Sequence, residues 1–388
     1  MLASVVLYGA DSSQSWRMRP WQSADGLPDN SVAGLAQTPD GYIWIGTPSG
    51  LARFDGINFE TFSLTNVIAP PNRGVITMMS GSKGALWLAM DRGAVVYLNG
   101  ASSRAYTEGL PNYIPNGMAE AADGTCLIAY RSGPVYEISN GTVKDLTATR
   151  GLPGGADICA LTTDKQGRVW FAKSGQVGIF EQGRLQTICR LDPSPMRLAP
   201  ARDGSIWVCC GFHLYKCDDT GKLQDFGRFN PENSGTVATV MLEDHEGAVW
   251  IGTSFSGLFR HDQSGFTTIP TTHQGILSLM EDHEGNIWVG TFGGGLNRIR
   301  RRTILLEGAG AGLPFSSVQS VCEDTNGTIW AVTQNSVLVH KDKGSDDWAA
   351  VPISNSWPGE ATCVTVDGRG TLWVGTRIHV VGSPTHGL

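Results

Sequence analysis

Short apolar runs separated by turn-forming residues recur along the whole chain. In the first instance, apolar side chains concentrate at residues 32–36, 43–47, 51–54 and 59–62. The intervening segments carry Pro39, Asp40-Gly41 and Asp55-Gly56, and Pro, Asp and Gly are strong turn formers. Alternating apolar runs with a turn at roughly every 8–12 residues are typical of antiparallel sheets. Each instance therefore predicts four short strands, A to D.

One motif marks each instance: a glycine, any residue, an aliphatic residue and a tryptophan. It returns at intervals of 37–43 residues, and a degenerate copy at residues 124–127 ends in Leu127 instead. Eight of the twelve tryptophans occupy the motif position, namely Trp44, Trp87, Trp170, Trp207, Trp250, Trp288, Trp330 and Trp373. A four-stranded repeat of about 40–45 residues is typical of a propeller blade. The pattern predicts an all-β protein, a β-propeller of nine four-stranded antiparallel repeats, with the tryptophans as structural residues between neighbouring sheets.

Several repeats resemble a known family. The stretch Trp44-Ile45-Gly46-Thr47, followed by the glycine-led segment 50–56, is similar to the two-component regulator propeller repeat, and residues 250–260 and 288–298 repeat the pattern. The lead-in at residues 25–32 also matches, whereas the third to fifth repeats depart most. The resemblance implies the periplasmic sensor of a bacterial hybrid two-component protein. In that family, two seven-bladed rings usually precede an immunoglobulin-like domain, a membrane helix and a signalling part, so we expect this chain to be a sensor fragment without output domains.

The number of rings stays open at the level of the sequence. The ninth repeat has no strand D, and residues 16–21 could supply one to close a single nine-bladed ring by pairing near residues 377–380. The same segment could instead close a seven-bladed ring after the seventh repeat. Because typical propellers have 4–8 blades, we favour repeats one to seven at 16–302 and repeats eight and nine at 303–388. The apolar run at residues 2–10 makes segment 1–15 resemble a residual secretory signal, although the segment lacks a positive start.

Composition narrows the class of partner. The formal net charge is −7, which argues against a nucleic-acid surface, and the basic run at 298–302 is expected to be a solvated strand end. No apolar stretch reaches the 18 residues of a membrane helix, so we expect no membrane segment. The eight cysteines form no Cys-x-x-Cys pair, which makes a zinc site unexpected and favours small buried hydrophobes over disulfides.

Catalytic motifs are not found in the sequence. Two acidic clusters, at residues 244–247 and 282–285, lie in the turn between strands A and B, where turn formation accounts for Asp and Gly better than metal binding does. We therefore expect no metal, no cofactor and no enzyme activity. Ligands of propellers bind mostly where the D–A and B–C loops meet the central channel. The candidate binding residues of these loops are Asn30, Asn72, Arg73, Asn112, Tyr113, Phe255, Phe292 and Phe315.

Three functions remain open. The first is a periplasmic or extracellular sensor that binds a small molecule or an oligosaccharide. The second is a polysaccharide hydrolase or lyase, and hydrolysis would require two carboxylates about 5–9.5 Å apart at an open cleft. The third is a scaffold for protein partners or a homodimer, which would show a large exposed apolar patch.

Overall fold

We describe the protein from a computed structural model. The structure describes residues 16–69, 74–100, 102–131, 133–147, 152–154, 157–181, 184–229, 235–301, 307–345, 347–352 and 359–377. The expected signal segment at 1–15 and the candidate residues Asn72 and Arg73 lie outside these ranges.

The regular structure of the described residues consists of strands and three short 3-10 turns, Ser23–Asp25, Ser82–Gly84 and Ala309–Ala311. The chain divides into two compact units, Met1–Arg302 and Thr303–Leu388. The strands of the first unit are β1 (Trp16–Trp21), β2 (Gly34–Gln37), β3 (Ile43–Thr47), β4 (Gly50–Phe54), β5 (Phe59–Phe62), β6 (Val75–Ser80), β7 (Leu86–Met90), β8 (Val95–Asn99), β9 (Ser102–Tyr106), β10 (Pro115–Glu120), β11 (Cys126–Tyr130), β12 (Val135–Ser139), β13 (Thr142–Asp145), β14 (Ala160–Thr163), β15 (Val169–Lys173), β16 (Gln176–Glu181), β17 (Arg184–Arg190), β18 (Met196–Pro200), β19 (Ile206–Cys210), β20 (His213–Cys217), β21 (Leu223–Arg228), β22 (Ala238–Glu243), β23 (Val249–Thr253), β24 (Leu258–Asp262), β25 (Gly265–Ile269), β26 (Ile276–Glu281), β27 (Ile287–Thr291) and β28 (Leu296–Arg301).

These strands form seven four-stranded antiparallel sheets, the blades. Blades one to six are β2–β5, β6–β9, β10–β13, β14–β17, β18–β21 and β22–β25, while blade seven combines β26, β27 and β28 with β1 as its outermost strand. Each first strand contacts the first strand of the next blade, and β26 contacts β2, so the inner strands close a ring. The register of β1 pairs Trp16 with Arg301 and Trp21 with Leu296. A single nine-bladed ring would instead require β1 to pair near residue 377.

The repeated tryptophan of each blade packs against the following blade. Trp44 of blade one is clustered with Val75 and Leu88 of blade two, and Trp288 of blade seven is clustered with Ile45 and Phe54 of blade one. Burial of these large apolar rings between neighbouring sheets stabilises the contact between blades. The apolar core is therefore a series of inter-blade layers rather than one central mass.

The glycine two residues after the tryptophan permits this close packing. A Cβ built on Gly290 would lie 2.4 Å from the carbonyl oxygen of Val32 in blade one, and one built on Gly46 would lie 2.5 Å from the Val75 side chain. Real side chains do not approach so closely, so only glycine fits here. In the motif Trp-aliphatic-Gly-Thr, the tryptophan thus fills the space between two blades, and the glycine lets the backbone lie close to the next blade.

The second unit holds the last two repeats. Strands β29 (Val318–Glu323), β30 (Ile329–Thr333), β31 (Leu338–Lys341) and β32 (Ala349–Ala350) form a four-stranded sheet, and β33 (Glu360–Val366) pairs with β34 (Leu372–Arg377). Trp330 is partly buried against Val364 and Leu372 of the last repeat. Trp373 is 60% exposed, which sets it apart from the buried motif tryptophans of the first unit. In the ranges that the structure covers, no helix is long and apolar enough to cross a membrane.

Candidate functional site

The acidic turns singled out in the sequence have a structural role. In the A–B turn of blade six, Asp244 Oδ2 accepts a hydrogen bond from Trp250 Nε1 at 2.8 Å, while its Oδ1 accepts from the backbone N–H groups of Glu246 and Ala248 at 3.0 and 2.8 Å. The same indole bond, at 2.7–3.0 Å, links four further pairs six residues apart, namely Asp164 with Trp170, Asp282 with Trp288, Asp324 with Trp330 and Asp367 with Trp373. Among the described residues, no cluster of His, Cys, Asp and Glu could hold a metal ion.

A cavity of about 450 Å³ lies where the inner strands of all seven blades converge. Its wall includes the first residues of these strands together with B–C loop residues such as Pro48, Arg131 and Phe292. The cavity therefore opens on the face that carries the D–A and B–C loops. This is the mouth of the central channel, where propeller ligands were expected to bind.

The inner part of the cavity is apolar. Each inner strand contributes one apolar side chain to this part. In every blade that residue pairs with the strand-B residue directly after the motif tryptophan, or after Leu127 in blade three. These seven residues are Leu35, Met78, Met118, Leu161, Leu198, Met241 and Leu279. They form a ring, and the polar lining residues lie closer to the loops.

Arg197 lies one step nearer the mouth than this apolar ring. It pairs with Cys209, and the equivalent positions in the other six blades hold small or uncharged residues. Those residues are Gly34, Thr77, Gly117, Ala160, Val240 and Ser278. Arg197 Nε donates to the carbonyl oxygen of Thr239 in blade six at 2.8 Å, and its Nη1 donates to that of Met196 at 2.9 Å. Its guanidinium group is therefore held in place across two blades.

Arg131 is the second charged residue of the lining. It follows β11 directly, in the B–C loop of blade three, and its side chain is exposed. Burial lowers the pKa of Arg197 below its ordinary value, and the positive charge of Arg131 lowers that pKa further. The two guanidinium groups are thus close enough to repel each other. The described lining of the cavity contains no carboxylate.

Hydrogen bonds between blades hold the mouth together. Asn116 Nδ2 donates to the carbonyl oxygen of Cys159 at 3.0 Å, and Thr239 Oγ1 donates to that of Ile276 at 2.6 Å. Ser278 Oγ donates to the carbonyl oxygen of Val32 at 3.0 Å, across the point where the ring closes. These side chains belong to the lining, so the polar wall of the cavity is preorganised by contacts between neighbouring inner strands.

The candidate loop residues are not brought together at one site. Phe292 lines the cavity and is 62% exposed, whereas the exposed Tyr113 and Phe255 are not part of its wall. Asn30 Oδ1 accepts from the backbone N–H of Ser23 at 2.8 Å, which ties down the segment after β1. Asn112 is exposed, and Phe315 belongs to the second unit.

A second cavity, of about 760 Å³, lies on the loop face of blade five. Its wall includes Phe212, His213, Tyr215 and Arg228, with the rings of His213 and Tyr215 stacked 5.6 Å apart and Arg228 lying 5.5 Å from the centre of the Phe212 ring. Its described lining contains one carboxylate, Asp192. Neither cavity therefore presents a pair of carboxylates among its described residues.

Sequence reasoning missed Arg131 and Arg197. Both lie in the divergent third and fifth repeats, and they are far apart along the chain. An alignment of the repeats with one another could have found them. At each of the two aligned positions, only one of blades one to seven carries an arginine.

Comparisons with known proteins agree with this architecture. The family model for the two component regulator propeller matches residues 26–49, 272–293 and 312–335. The extracellular domain of a putative hybrid two component system from B. thetaiotaomicron has a TM-score of 0.67 at 19% identity, over 92% of this chain and 52% of that chain. A second such domain from the same organism gives 0.60 at 17% identity, over 94% of this chain and 51% of that one.

An enzyme shares the same fold. Virginiamycin B lyase from Staphylococcus aureus has a TM-score of 0.61 at 13% identity, over 73% of this chain and 99% of that one. At these identities the likenesses show the fold alone, and the chain spans about half the length of the two sensor domains. No curated protein matches the chain. Its fold is thus that of a β-propeller, and three of its repeats match the family model of the two component regulator propeller.

Proposed function

We propose that this chain is the non-catalytic, ligand-sensing propeller of a bacterial two-component signalling protein, working in the periplasm or outside the cell. Three of its repeats match the family model of the two component regulator propeller, and its fold is similar to that of the extracellular domains of putative hybrid two-component systems. In this proposal the propeller detects the ligand, and the signalling output is the task of other domains, as in a hybrid two-component system.

The observation that carries the proposal is the cavity at the channel mouth. It is lined by all seven blades, combines an apolar inner ring with a polar rim, and has a volume of about 450 Å³, within the usual range for a small-molecule site. Binding there contacts every blade at once, so a ligand can shift the stability of the whole ring. The proposed ligand is a small molecule or the terminal unit of an oligosaccharide.

The hydrolase alternative finds less support at this cavity. Glycoside hydrolysis by the usual route needs a proton donor and a second carboxylate on opposite sides of the bond. The described lining of the channel mouth supplies arginines, amides and hydroxyls but no carboxylate. Such groups can orient a ligand by hydrogen bonding, yet they offer no pair for general acid and base chemistry at neutral pH.

Filling the cavity tests the proposal. Gly117 lines the cavity, and a Cβ added there would meet no heavy atom within 4 Å. Gly117→Phe should therefore occupy the channel mouth with little disturbance of the fold. A matched control is Gly368→Phe, in a turn of the second unit where an added Cβ also meets nothing.

The assay is a thermal-shift screen of small metabolites and oligosaccharides, followed by calorimetric titration of each hit and by measurement of reducing ends released from polysaccharides. We expect a compound that raises the melting temperature of the wild type and of Gly368→Phe but not of Gly117→Phe, without turnover. Release of reducing ends that Gly117→Phe abolishes would establish a polysaccharide hydrolase or lyase instead. A hit that binds Gly117→Phe as tightly as the wild type would place the sensing site elsewhere.

A further inference from the structure

The channel mouth carries a positive charge that described protein groups do not balance. Its described lining has two charged side chains, Arg131 and Arg197, and both are cationic. Among the described residues, no carboxylate lies within ion-pair distance of either guanidinium group. Arginine keeps its charge in proteins, and a partly buried charge is costly unless an opposite charge accompanies it.

The shape of the site suits an oxyanion. Two of the five N–H donors of Arg197 are used by the carbonyl oxygens of Thr239 and Met196, which fixes the plane of the guanidinium group. The remaining donors make no hydrogen bond to a described residue. A guanidinium group recognises carboxylate, sulfate and phosphate oxygens in a bidentate manner. Arg131 enters from the loop of blade three, so a ligand between the two would be held from two blades.

A buried lysine on blade four supports the same region. Lys173 is 1% exposed, and its Nζ donates to the carbonyl oxygen of Gly133 at 2.9 Å. Gly133 lies in the same B–C loop as Arg131, so Lys173 helps to hold that loop while adding a third positive charge. In blades one, six and seven the equivalent position is a threonine whose hydroxyl bonds within its own loop. The cations therefore come from three consecutive, divergent blades.

We propose that the mouth of the central channel binds an oxyanion, the carboxylate, sulfate or phosphate group of a small molecule, between Arg131 and Arg197. The anion replaces the repulsion between two guanidinium groups with two charge-assisted contacts. The apolar ring beneath, which includes Met78 and Leu198, accommodates the uncharged remainder of the ligand. The biological role of this anion site rests on the proposed sensing function. The binding of an anion does not, because it follows from the residues that line the cavity.

The experiment titrates the whole chain with succinate, sulfate and phosphate by calorimetry at constant ionic strength, with ethylene glycol as a neutral probe. The variants are Arg131→Gln and Arg197→Gln, and the control is Arg17→Gln, which removes one exposed arginine of the outer strand β1. We expect at least one anion to bind, with about a tenfold or greater loss of affinity in each cavity variant and no loss in the control. Preference for succinate over the tetrahedral ions identifies a carboxylate ligand, and the reverse identifies a sulfate or phosphate ester.

A second readout guards against misfolding. Among the described residues, none makes a hydrogen bond or ion pair with the Arg131 side chain, so Arg131→Gln should fold. It should also raise the melting temperature of the anion-free protein because it removes like-charge repulsion. The inference would be overturned if both variants bound every anion with the affinity of the wild type, or if the wild type bound no anion. If neutral compounds still bind and Gly117→Phe still blocks them, the sensing proposal survives that result.

Discussion

Blade five lacks one half of the indole hydrogen bond that blades four, six and seven make in their A–B turns. Trp207 is buried, and its Nε1 has no hydrogen-bond partner. Six residues earlier, where blade six has Asp244, blade five has Ala201, which is also buried. The turns match, since Ala201 exchanges backbone bonds with Ser205 and Gly204 as Asp244 does with Ala248 and Gly247. We therefore predict that Ala201→Asp stabilises the protein.

The size of the effect follows from the groups that would be paired. The new carboxylate would accept the Trp207 indole N–H and, as in blade six, two backbone N–H groups of its turn. Relief of one unpaired buried donor contributes about 1–3 kcal/mol, and desolvation of the carboxylate offsets part of it. Lys216, 4.7 Å from the Trp207 ring centre, adds a favourable charge. The expected net gain is about 1–2 kcal/mol, or an increase of roughly 2–6 °C in melting temperature.

The assay is differential scanning calorimetry of the wild type, Ala201→Asp, Ala201→Asn and Asp244→Ala. The asparagine variant can accept the indole bond without a charge, so its gain should be smaller. Asp244→Ala performs the reverse change in blade six and should cost about 2–3 kcal/mol, since it unpairs an indole and two backbone donors. A less stable Ala201→Asp together with an unchanged Asp244→Ala would refute the structural role of this aspartate.

Three further perturbations test other parts of the fold. Trp250→Ala should lower the free energy of unfolding by about 3–5 kcal/mol, measured by chemical denaturation, because it empties a fully buried site between blades six and seven. The hydrogen bond between His245 and Glu281 raises the pKa of His245. The stability that this bond contributes is therefore present below about pH 6.5 and is lost as the pH rises through the higher pKa of the folded state. The difference in melting temperature between the wild type and His245→Gln should shrink over that range. Cys189 and Cys217 are buried, with their Sγ atoms 3.2 Å apart. Oxidised glutathione should therefore convert them to a disulfide with the release of two reduced glutathione molecules. Mass spectrometry should detect the loss of two hydrogens in the wild type but not in Cys217→Ser.

The repeat pattern was sufficient to predict the architecture. Strands predicted at 32–36, 43–47, 51–54 and 59–62 correspond to β2–β5, and β3 and β5 match to the residue. The prediction of the strands succeeds because alternating apolar residues and Asp-Gly turns determine an antiparallel sheet within about 40 consecutive residues. The propeller fold and the family resemblance predicted from the motif are confirmed.

The site could not be predicted in the same way. Arg131 and Arg197 meet because the ring brings the third and fifth blades to one channel, and no short sequence window contains both. The Asp244 turn was predicted correctly as a turn, but its bond to Trp250 depends on a spacing of six residues that turn propensity does not explain. Contacts that arise from ring closure therefore require the structure, and so does the side-chain bond between Asp244 and Trp250 within one hairpin.

The pairing of β1 with β28 determines the order in which this unit can be completed on the ribosome. Trp16 is synthesised among the first described residues, yet its partner Arg301 emerges only after the whole of blades one to six. At about 5–20 residues per second, that interval is on the order of tens of seconds. During it, β1 is a strand without a sheet and Trp16 and Trp21 lack the Trp250 and Trp288 rings against which they finally pack. The nascent chain therefore carries two tryptophans without their partner rings until the seventh blade forms.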